Sequence, residues 1–144
     1  MDTGQQRGRG VKYYSIQLNR RSCGGGRIGT MDQREILSRV DHTLLAPAAT
    51  WEQVKAVCDE GRQFGTASVC IPPRYVKRAN DYVGGSLKIC TVVGFPCGYA
   101  TPEVKVFETE DAIRDGADEI DMVINQGLAK EGDWEGVLTE KLYQ

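Results

Sequence analysis

The sequence lacks the features that mark several large classes of protein. No apolar stretch approaches the roughly 20 residues that span a bilayer, and no apolar core of a secretory signal is present near the N-terminus. The formal net charge is only −2, so the chain as a whole has no strong attraction for nucleic acid or for a membrane surface. We therefore expect neither nucleic-acid nor membrane partners.

Cysteine and histidine lack the spacing that disulfide frameworks and zinc sites require. The five cysteines are odd in number and include no C-x-x-C pair. The single histidine, His42, has no nucleophile beside it in the sequence, and we interpret it as structural. These features predict free thiols in a reducing cytoplasm, with no metal site.

Nucleotide-binding glycine loops are also missing. The one G-x-G-x-x-G match, Gly24 to Gly29, follows no predicted strand, and there is no G-x-x-x-x-G-K-[ST], so Rossmann and P-loop functions lack their defining contacts. Residues 1–30 contain five arginines, a run of three glycines and no acidic residue after Asp2. This segment has little to bury, and we expect a disordered leader; a basic nucleic-acid-binding arm and a transit peptide are weaker alternatives.

From residue 31 onward, amphipathic helices alternate with short apolar strands. The pattern T-x-x-Q at Thr50 and Gln53 predicts a helix start, and Gly65 predicts the end of that helix. Strands are predicted over residues 67–71, 88–93 and 119–124, with helices between them and a last helix after Asp133. This alternation predicts parallel α/β structure.

The segment from Gly116 to Asn125 places a carboxylate inside a predicted strand. Asp121 interrupts the apolar run Ile120 to Ile124, which is typical of a strand buried on both faces. A carboxylate buried there must be paired, hydrogen-bonded or functional, because burying it alone is costly. A salt-bridged or strand-capping role and a functional role both remain open.

Other polar residues also fall in or next to predicted strands. They are Asp41, Thr43, Cys70 and Asn125, in addition to Asp121. In a (β/α)₈ barrel, side chains at the carboxyl ends of the strands form the active site. The pattern therefore favours a barrel over an open sheet.

Four segments in this order carry a family resemblance. They read DHTLL from Asp41, ASVCI from Ala67, CTVVGFP from Cys90 and GADEIDMVIN from Gly116. Together they closely resemble 2-deoxyribose-5-phosphate aldolase, a class I aldolase of the (β/α)₈ type. The resemblance covers about residues 32–142 and implies the N-terminal half of the barrel, about the first four βα units, in residues 31–144.

The resemblance implies an aldehyde-lyase of deoxyribonucleotide catabolism. The family reversibly cleaves 2-deoxy-D-ribose 5-phosphate to acetaldehyde and D-glyceraldehyde 3-phosphate, with a lysine Schiff base as the electron sink and no metal or other cofactor. It implies that Asp121 belongs to a proton relay, that Asp41 and Thr43 belong to the substrate pocket, and that Cys70 lies beside the reacting aldehyde. The alternatives are a small buried apolar role for Cys70 and a backbone-bonded hydroxyl for Thr43.

The sequence departs from the family in one respect that affects catalysis. The Lys-Thr-Ser-Thr-Gly type of motif that carries the Schiff-base lysine does not occur, and neither do the second lysine and the phosphate loops of the last strands. We therefore expect these 144 residues to be inactive alone. The alternative is a non-catalytic half-barrel whose open strand edges bind a second copy or a complementary half.

Overall fold

The computed structural model describes the backbone of residues 32–142 and the side chains as far as Glu140. The expectation of a disordered leader in residues 1–30 lies outside these described residues. Within them, no helix is long and apolar enough to cross a membrane.

Four parallel strands form one sheet in the order β1-β2-β3-β4. The strands are β1 (Asp41–Thr43), β2 (Ser68–Ile71), β3 (Lys88–Val93) and β4 (Glu119–Met122). Each pairs with the next in chain order, so β1 and β4 are the two edges of the described sheet. The fold class predicted from the sequence, parallel α/β with four βα units, is confirmed.

Six α-helices connect or flank the strands in the described part of the chain. They are α1 (Gln33–Leu37), α2 (Trp51–Phe64), α3 (Val76–Val83), α4 (Pro102–Arg114), α5 (Gln126–Glu131) and α6 (Trp134–Leu142). A 3₁₀ turn, Pro73–Tyr75, leads into α3. Helix α2 begins at the predicted capping box of Thr50 and Gln53, and it ends at Gly65 in the left-handed conformation that glycine adopts without strain.

The main core lies between the sheet and helices α2 and α3. Val69, Ile71 and Ile89 enter it from the strands, and Val54 and Val76 enter it from the helices. A second buried cluster contains Cys70, Cys90 and Val92, with Leu45 packed against it. Successive strand side chains point to opposite faces, so this second cluster lies on the face turned away from α2 and α3.

Two parts of the sequence interpretation are wrong. Strand β4 ends at Met122 rather than at residue 124, and it is a half-exposed edge rather than a strand buried on both faces. The short helix α5 was not predicted. Asn125 ends the extended segment because its side chain accepts hydrogen bonds from the backbone N–H groups of Gly127 and Leu128, which starts α5.

Candidate functional site

The predicted site residues lie on one face of the sheet, which we call the site face. It is defined by Asp41 and Thr43 of β1, Cys70 of β2, Cys90 and Val92 of β3, and Asp121 of β4. Thr43 is in register with Cys70, Cys70 with Cys90, and Val92 with Asp121. Because paired residues of parallel strands present their side chains to the same face, the register alone brings this set together.

Asp121 and Cys70 are predicted site residues whose side chains meet from different strands. Cys70 Sγ lies 4.0 Å from Asp121 Oδ2 across the intervening strand β3. The carboxylate is exposed, contrary to the buried position that the sequence suggested, because β4 is an edge strand and nothing described covers its site face. An exposed carboxylate needs no partner to offset burial, so the structural argument for a paired Asp121 no longer holds.

The thiols of Cys70 and Cys90 are buried, with 2% and 1% of each residue exposed. Burial raises the pKa of Cys70, and the nearby carboxylates of Asp121 and Asp41 add to this effect, while a hydrogen bond with Cys90 opposes it. Burial also raises the pKa of Cys90, with smaller contributions from Cys70 and Asp121. Both groups are therefore thiols rather than thiolates at neutral pH.

Asp41 and Thr43 form local hydrogen bonds at the edge strand β1. The hydroxyl of Ser68 donates to Asp41 Oδ1 at 2.7 Å. The hydroxyl of Thr43 donates to the carbonyl oxygen of Asp41 at 2.8 Å, which is the backbone-bonded alternative considered from the sequence. Both residues are exposed, so their remaining hydrogen-bonding capacity faces solvent.

A cavity of about 310 Å³ opens among the loops at the carboxyl ends of β1, β2 and β3. It is lined by Leu45, Ala46, Pro47, Pro72, Pro73, Val92, Gly94, Phe95, Pro96 and Glu108. None of the four predicted site residues lines it, but Leu45 and Val92 also belong to the cluster around Cys70 and Cys90. The cavity therefore adjoins the site face and is large enough for a small ligand.

Three lysines on the described strands and helices are bound to carboxylates, and the first is Lys55, whose ammonium lies 3.0 Å from Asp59 Oδ2 within α2. Lys88 begins β3 at the amino-terminal end of the strands, away from the carboxyl-end loops, and its ammonium lies 3.2 Å from Glu119 Oε1. Lys105 is fully buried in α4 and lies 2.9 Å from Glu140 Oε2. The sequence predicted only that Lys105 lies on an amphipathic helix. Its burial could not be predicted locally, because its partner Glu140 lies 35 residues away along the chain.

His42 lies apart from the site face. Its Nε2 is 2.6 Å from Glu60 Oε2 on helix α2. This contact agrees with the structural role that we assigned to His42 from the sequence.

The sequence interpretation did not select Cys90 of the site face, nor Ser68, which is in register with Asp41. Cys90 was noted only as part of a motif, yet register pairing places it beside Cys70. The ligand atoms of Cys70, Cys90 and Asp121 all lie within 4.8 Å of one another, a grouping suited to a metal ion, although the sequence predicted no metal site. The position of Cys90 depends on the pairing of β2 with β3, so no local sequence signal identified it.

Parallel strands alternating with helices, and a polar site face beside the carboxyl-end loops, define a protein of the (β/α) barrel type. The chain belongs to the DeoC/LacD aldolase family, whose model matches residues 28–140.

Two curated relatives carry the same name. The chain is 56% identical over 110 residues to the deoxyribose-phosphate aldolase of Streptococcus pyogenes serotype M4 (strain MGAS10750). The matched segment covers 76% of this chain and 49% of that protein. It is 54% identical over 104 residues to the deoxyribose-phosphate aldolase of Clostridioides difficile (strain 630). This match covers 72% of this chain and 48% of that protein. The resemblance inferred from the sequence is confirmed, and the chain spans about half the length of these relatives.

Solved structures agree in fold. The chain matches the deoxyribose phosphate aldolase of Aeropyrum pernix, described as tetrameric, with a TM-score of 0.66 at 32% identity, covering 78% of this chain and 50% of that one. It matches QR15, described as an aldolase, with a TM-score of 0.69 at 32% identity. This match covers 77% of this chain and 48% of QR15. The four βα units are therefore part of a barrel fold.

Proposed function

We propose that this chain supplies one half of the active site of a deoxyribose-phosphate aldolase. In this proposal the site face is the inner wall of the barrel, and the Schiff-base lysine is provided by residues beyond these 144, in the same polypeptide or in a complementary one. Asp121 is the proton-relay residue, Asp41 and Thr43 contact the phosphosugar, and Cys70 lies beside the aldehyde. The observation that carries the proposal is the 4.0 Å approach of Cys70 Sγ to Asp121 Oδ2 on this face.

The position of Asp121 suits proton transfer in such a site. Its carboxylate is exposed on the site face, and the neighbouring Cys70 and Cys90 are uncharged thiols that do not pair with it as cations would. A carboxylate there can hold a water molecule or a lysine ammonium and pass a proton to or from the substrate carbon. Lys88 lies at the amino-terminal end of its strand, away from the carboxyl-end loops, and Lys105 is buried against Glu140, so neither is placed to act as the nucleophile.

The test is complementation with a second segment. The chain is produced alone and together with the part of the Streptococcus pyogenes relative that it does not match, provided that this part carries the Lys-Thr-Ser-Thr-Gly type of motif. Each sample is treated with deoxyribose 5-phosphate and borohydride and analysed by mass spectrometry. We expect no specific lysine adduct on the chain alone, and one adduct on the motif lysine, with turnover, in the co-purified complex.

The matched variants are Asp121→Asn and Asp81→Asn, the latter an exposed residue of α3. In the complex, Asp121→Asn is expected to lower turnover by about 10²-fold or more, the usual contribution of a general acid–base group, whereas Asp81→Asn is expected to leave it unchanged. A stoichiometric adduct with turnover on the chain alone would refute the half-site proposal. Equal activity of Asp121→Asn and the unmodified complex would refute the relay role.

A non-catalytic role is the second candidate, and the two sheet edges favour it. In the sheet formed by residues 32–142, β1 and β4 each have one strand neighbour, and a groove of about 550 Å³ lies beside β4. Trp134, Leu138 and Ile124 are exposed apolar residues lining this groove. An unpaired strand edge is a template for another chain, and a second copy of this chain is the simplest occupant.

Light scattering after size exclusion tests this second candidate. We expect the unmodified chain to self-associate and Leu138→Asp to reduce the association, because a buried carboxylate in the contact is unfavourable. Phe64→Asp is the control, since Phe64 is also exposed but lies at the end of α2. A monomer at all concentrations would exclude self-association as the function.

A further inference from the structure

We propose that Cys70, Cys90 and Asp121 form a binding site for a thiophilic divalent cation such as Zn²⁺. Nothing in the proposed aldolase reaction requires this ion, and the inference does not depend on that reaction. It rests on the position of three side chains from three adjacent strands.

The spacing of the donor atoms fits a metal ion. All three ligand atoms lie within 4.8 Å of one another, and the Cys70 Sγ to Asp121 Oδ2 distance is 4.0 Å. An ion equidistant from three donors lies about 2.3 Å from each when they are 4.0 Å apart and about 2.8 Å from each when they are 4.8 Å apart, and the usual Zn–S bond length is about 2.3 Å. Small rotations of the side chains are therefore enough to bring the donors to coordination distance.

The strand register holds two of these donors in place. Cys70 and Cys90 are register partners on β2 and β3, and both are buried in the cluster that contains Val92 and Leu45. Their positions are therefore set by two hydrogen-bonded strands rather than by a flexible loop. Asp121 is exposed on the edge strand β4, so it leaves one side of the site open to a water molecule as fourth ligand.

The donor set selects the class of cation. Two thiolates and one carboxylate favour Zn²⁺ or Cd²⁺, whereas Mg²⁺ and Ca²⁺ prefer oxygen ligands only. Binding converts both thiols to thiolates and releases two protons to solvent. The site therefore binds the ion more weakly as the pH falls. The carboxylates facing it are Asp121 on β4 and Asp41 on β1, and both favour a cation.

Cadmium titration of the full chain tests the site. The reduced, chelator-treated protein is titrated with Cd²⁺, and the ultraviolet thiolate-to-cadmium charge-transfer band is followed. We expect one ion bound per chain at this site, with the band lost in Cys70→Ala and in Cys90→Ala. The controls Cys58→Ala and Cys97→Ala, one buried in the main core and one exposed, are expected to retain the band. Mg²⁺ is expected not to displace Cd²⁺.

Two further measurements do not depend on altering the buried core. Asp121→Asn changes an exposed side chain and is expected to weaken binding more than tenfold, at least the loss seen when a residue supporting a metal ligand is removed. X-ray absorption of the unmodified zinc complex is expected to show two sulfur ligands per Zn²⁺. Unchanged affinity in Asp121→Asn, a band that survives both cysteine substitutions, or zinc bound without two sulfurs would each overturn the proposal.

Discussion

The ammonium group of Lys105 lies 2.9 Å from Glu140 Oε2, and the lysine is fully buried. Asn125 donates to the other carboxylate oxygen of Glu140 at 3.3 Å. This contact joins α4, α6 and the end of the β4 segment. Among the described side chains, Glu140 is the ion-pair partner of this buried ammonium group, so the contact fixes α6 against α4.

Glu140→Leu is expected to destabilise the protein by about 3–5 kcal/mol, because it leaves the Lys105 cation buried without a partner. The double variant Lys105→Met/Glu140→Leu is expected to recover much of that loss, since no buried charge remains. Urea unfolding measures both. Arg39→Met, which removes the exposed Glu35–Arg39 pair, is the control and is expected to cost less than about 1 kcal/mol. A double variant as unstable as Glu140→Leu would contradict this account.

Gly98 is expected to be the least replaceable glycine of the loop after β3. Its φ is +73°, and an added Cβ would collide with the backbone carbonyl of Ile124. Gly98→Ala is expected to cost more than about 3 kcal/mol, since both left-handed strain and a backbone collision oppose it. Gly84→Ala is the control: its φ is +55° with nothing within 4 Å, so strain alone predicts about 1–2 kcal/mol. Thermal unfolding compares the two, and equal losses would contradict the collision.

Asp59 is expected to make folding stability depend on acid pH. The Tyr82 hydroxyl donates to Asp59 Oδ1 at 2.7 Å, and this bond, followed by that of Lys55, lowers the pKa of Asp59 below its ordinary value of 3.8. Because the pKa of Asp59 is lower in the folded state than in the unfolded state, Asp59 stabilises the fold at pH values above its unfolded-state pKa. This stabilisation is lost as the pH falls through the folded-state pKa. Tyr82→Phe should therefore lose less stability between about pH 6 and pH 3 than the unmodified chain.

Tyr75→Phe is the matched control for that measurement. The Tyr75 hydroxyl donates to the carbonyl oxygen of Ala49, which does not titrate. The unfolding free energy of the Tyr75→Phe variant should therefore change with pH in parallel with that of the unmodified chain across the same pH range. Parallel curves for Tyr82→Phe as well would show that Tyr82 does not lower the pKa of Asp59.

The described cysteines are expected to react with iodoacetamide at very different rates. Cys97 is exposed, whereas Cys58, Cys70 and Cys90 are buried, and burial raises the pKa of each of these three thiols. Alkylation requires an accessible thiolate, so the buried three should react at least about tenfold more slowly. Mass spectrometry of peptides over time measures the rates, with urea-unfolded protein as the control. Equal rates in the native protein would mean that the site face opens readily.

Local sequence signals predicted the ends of several elements correctly. The reciprocal hydrogen bonds of Thr50 and Gln53 depend on residues three apart, and the end of α2 depends on the φ angle of Gly65. The limits of β3 followed from an apolar run between glycine-containing turns, since that strand is central and buried. Interactions within a few residues are enough to fix such features, so the sequence alone determined the alternation of strands and helices, apart from the short helix α5.

Tertiary structure decided what those local signals could not. Asp121 is exposed because β4 is an edge, Cys90 joins the site face because strand register sets it beside Cys70, and Lys105 is buried because Glu140 reaches it from α6. Each of these outcomes depends on residues 20 or more positions apart along the chain, where periodicity and capping patterns carry no information. The sequence determined which chemical groups are present on the strands; the pairing of the strands decided which of them meet.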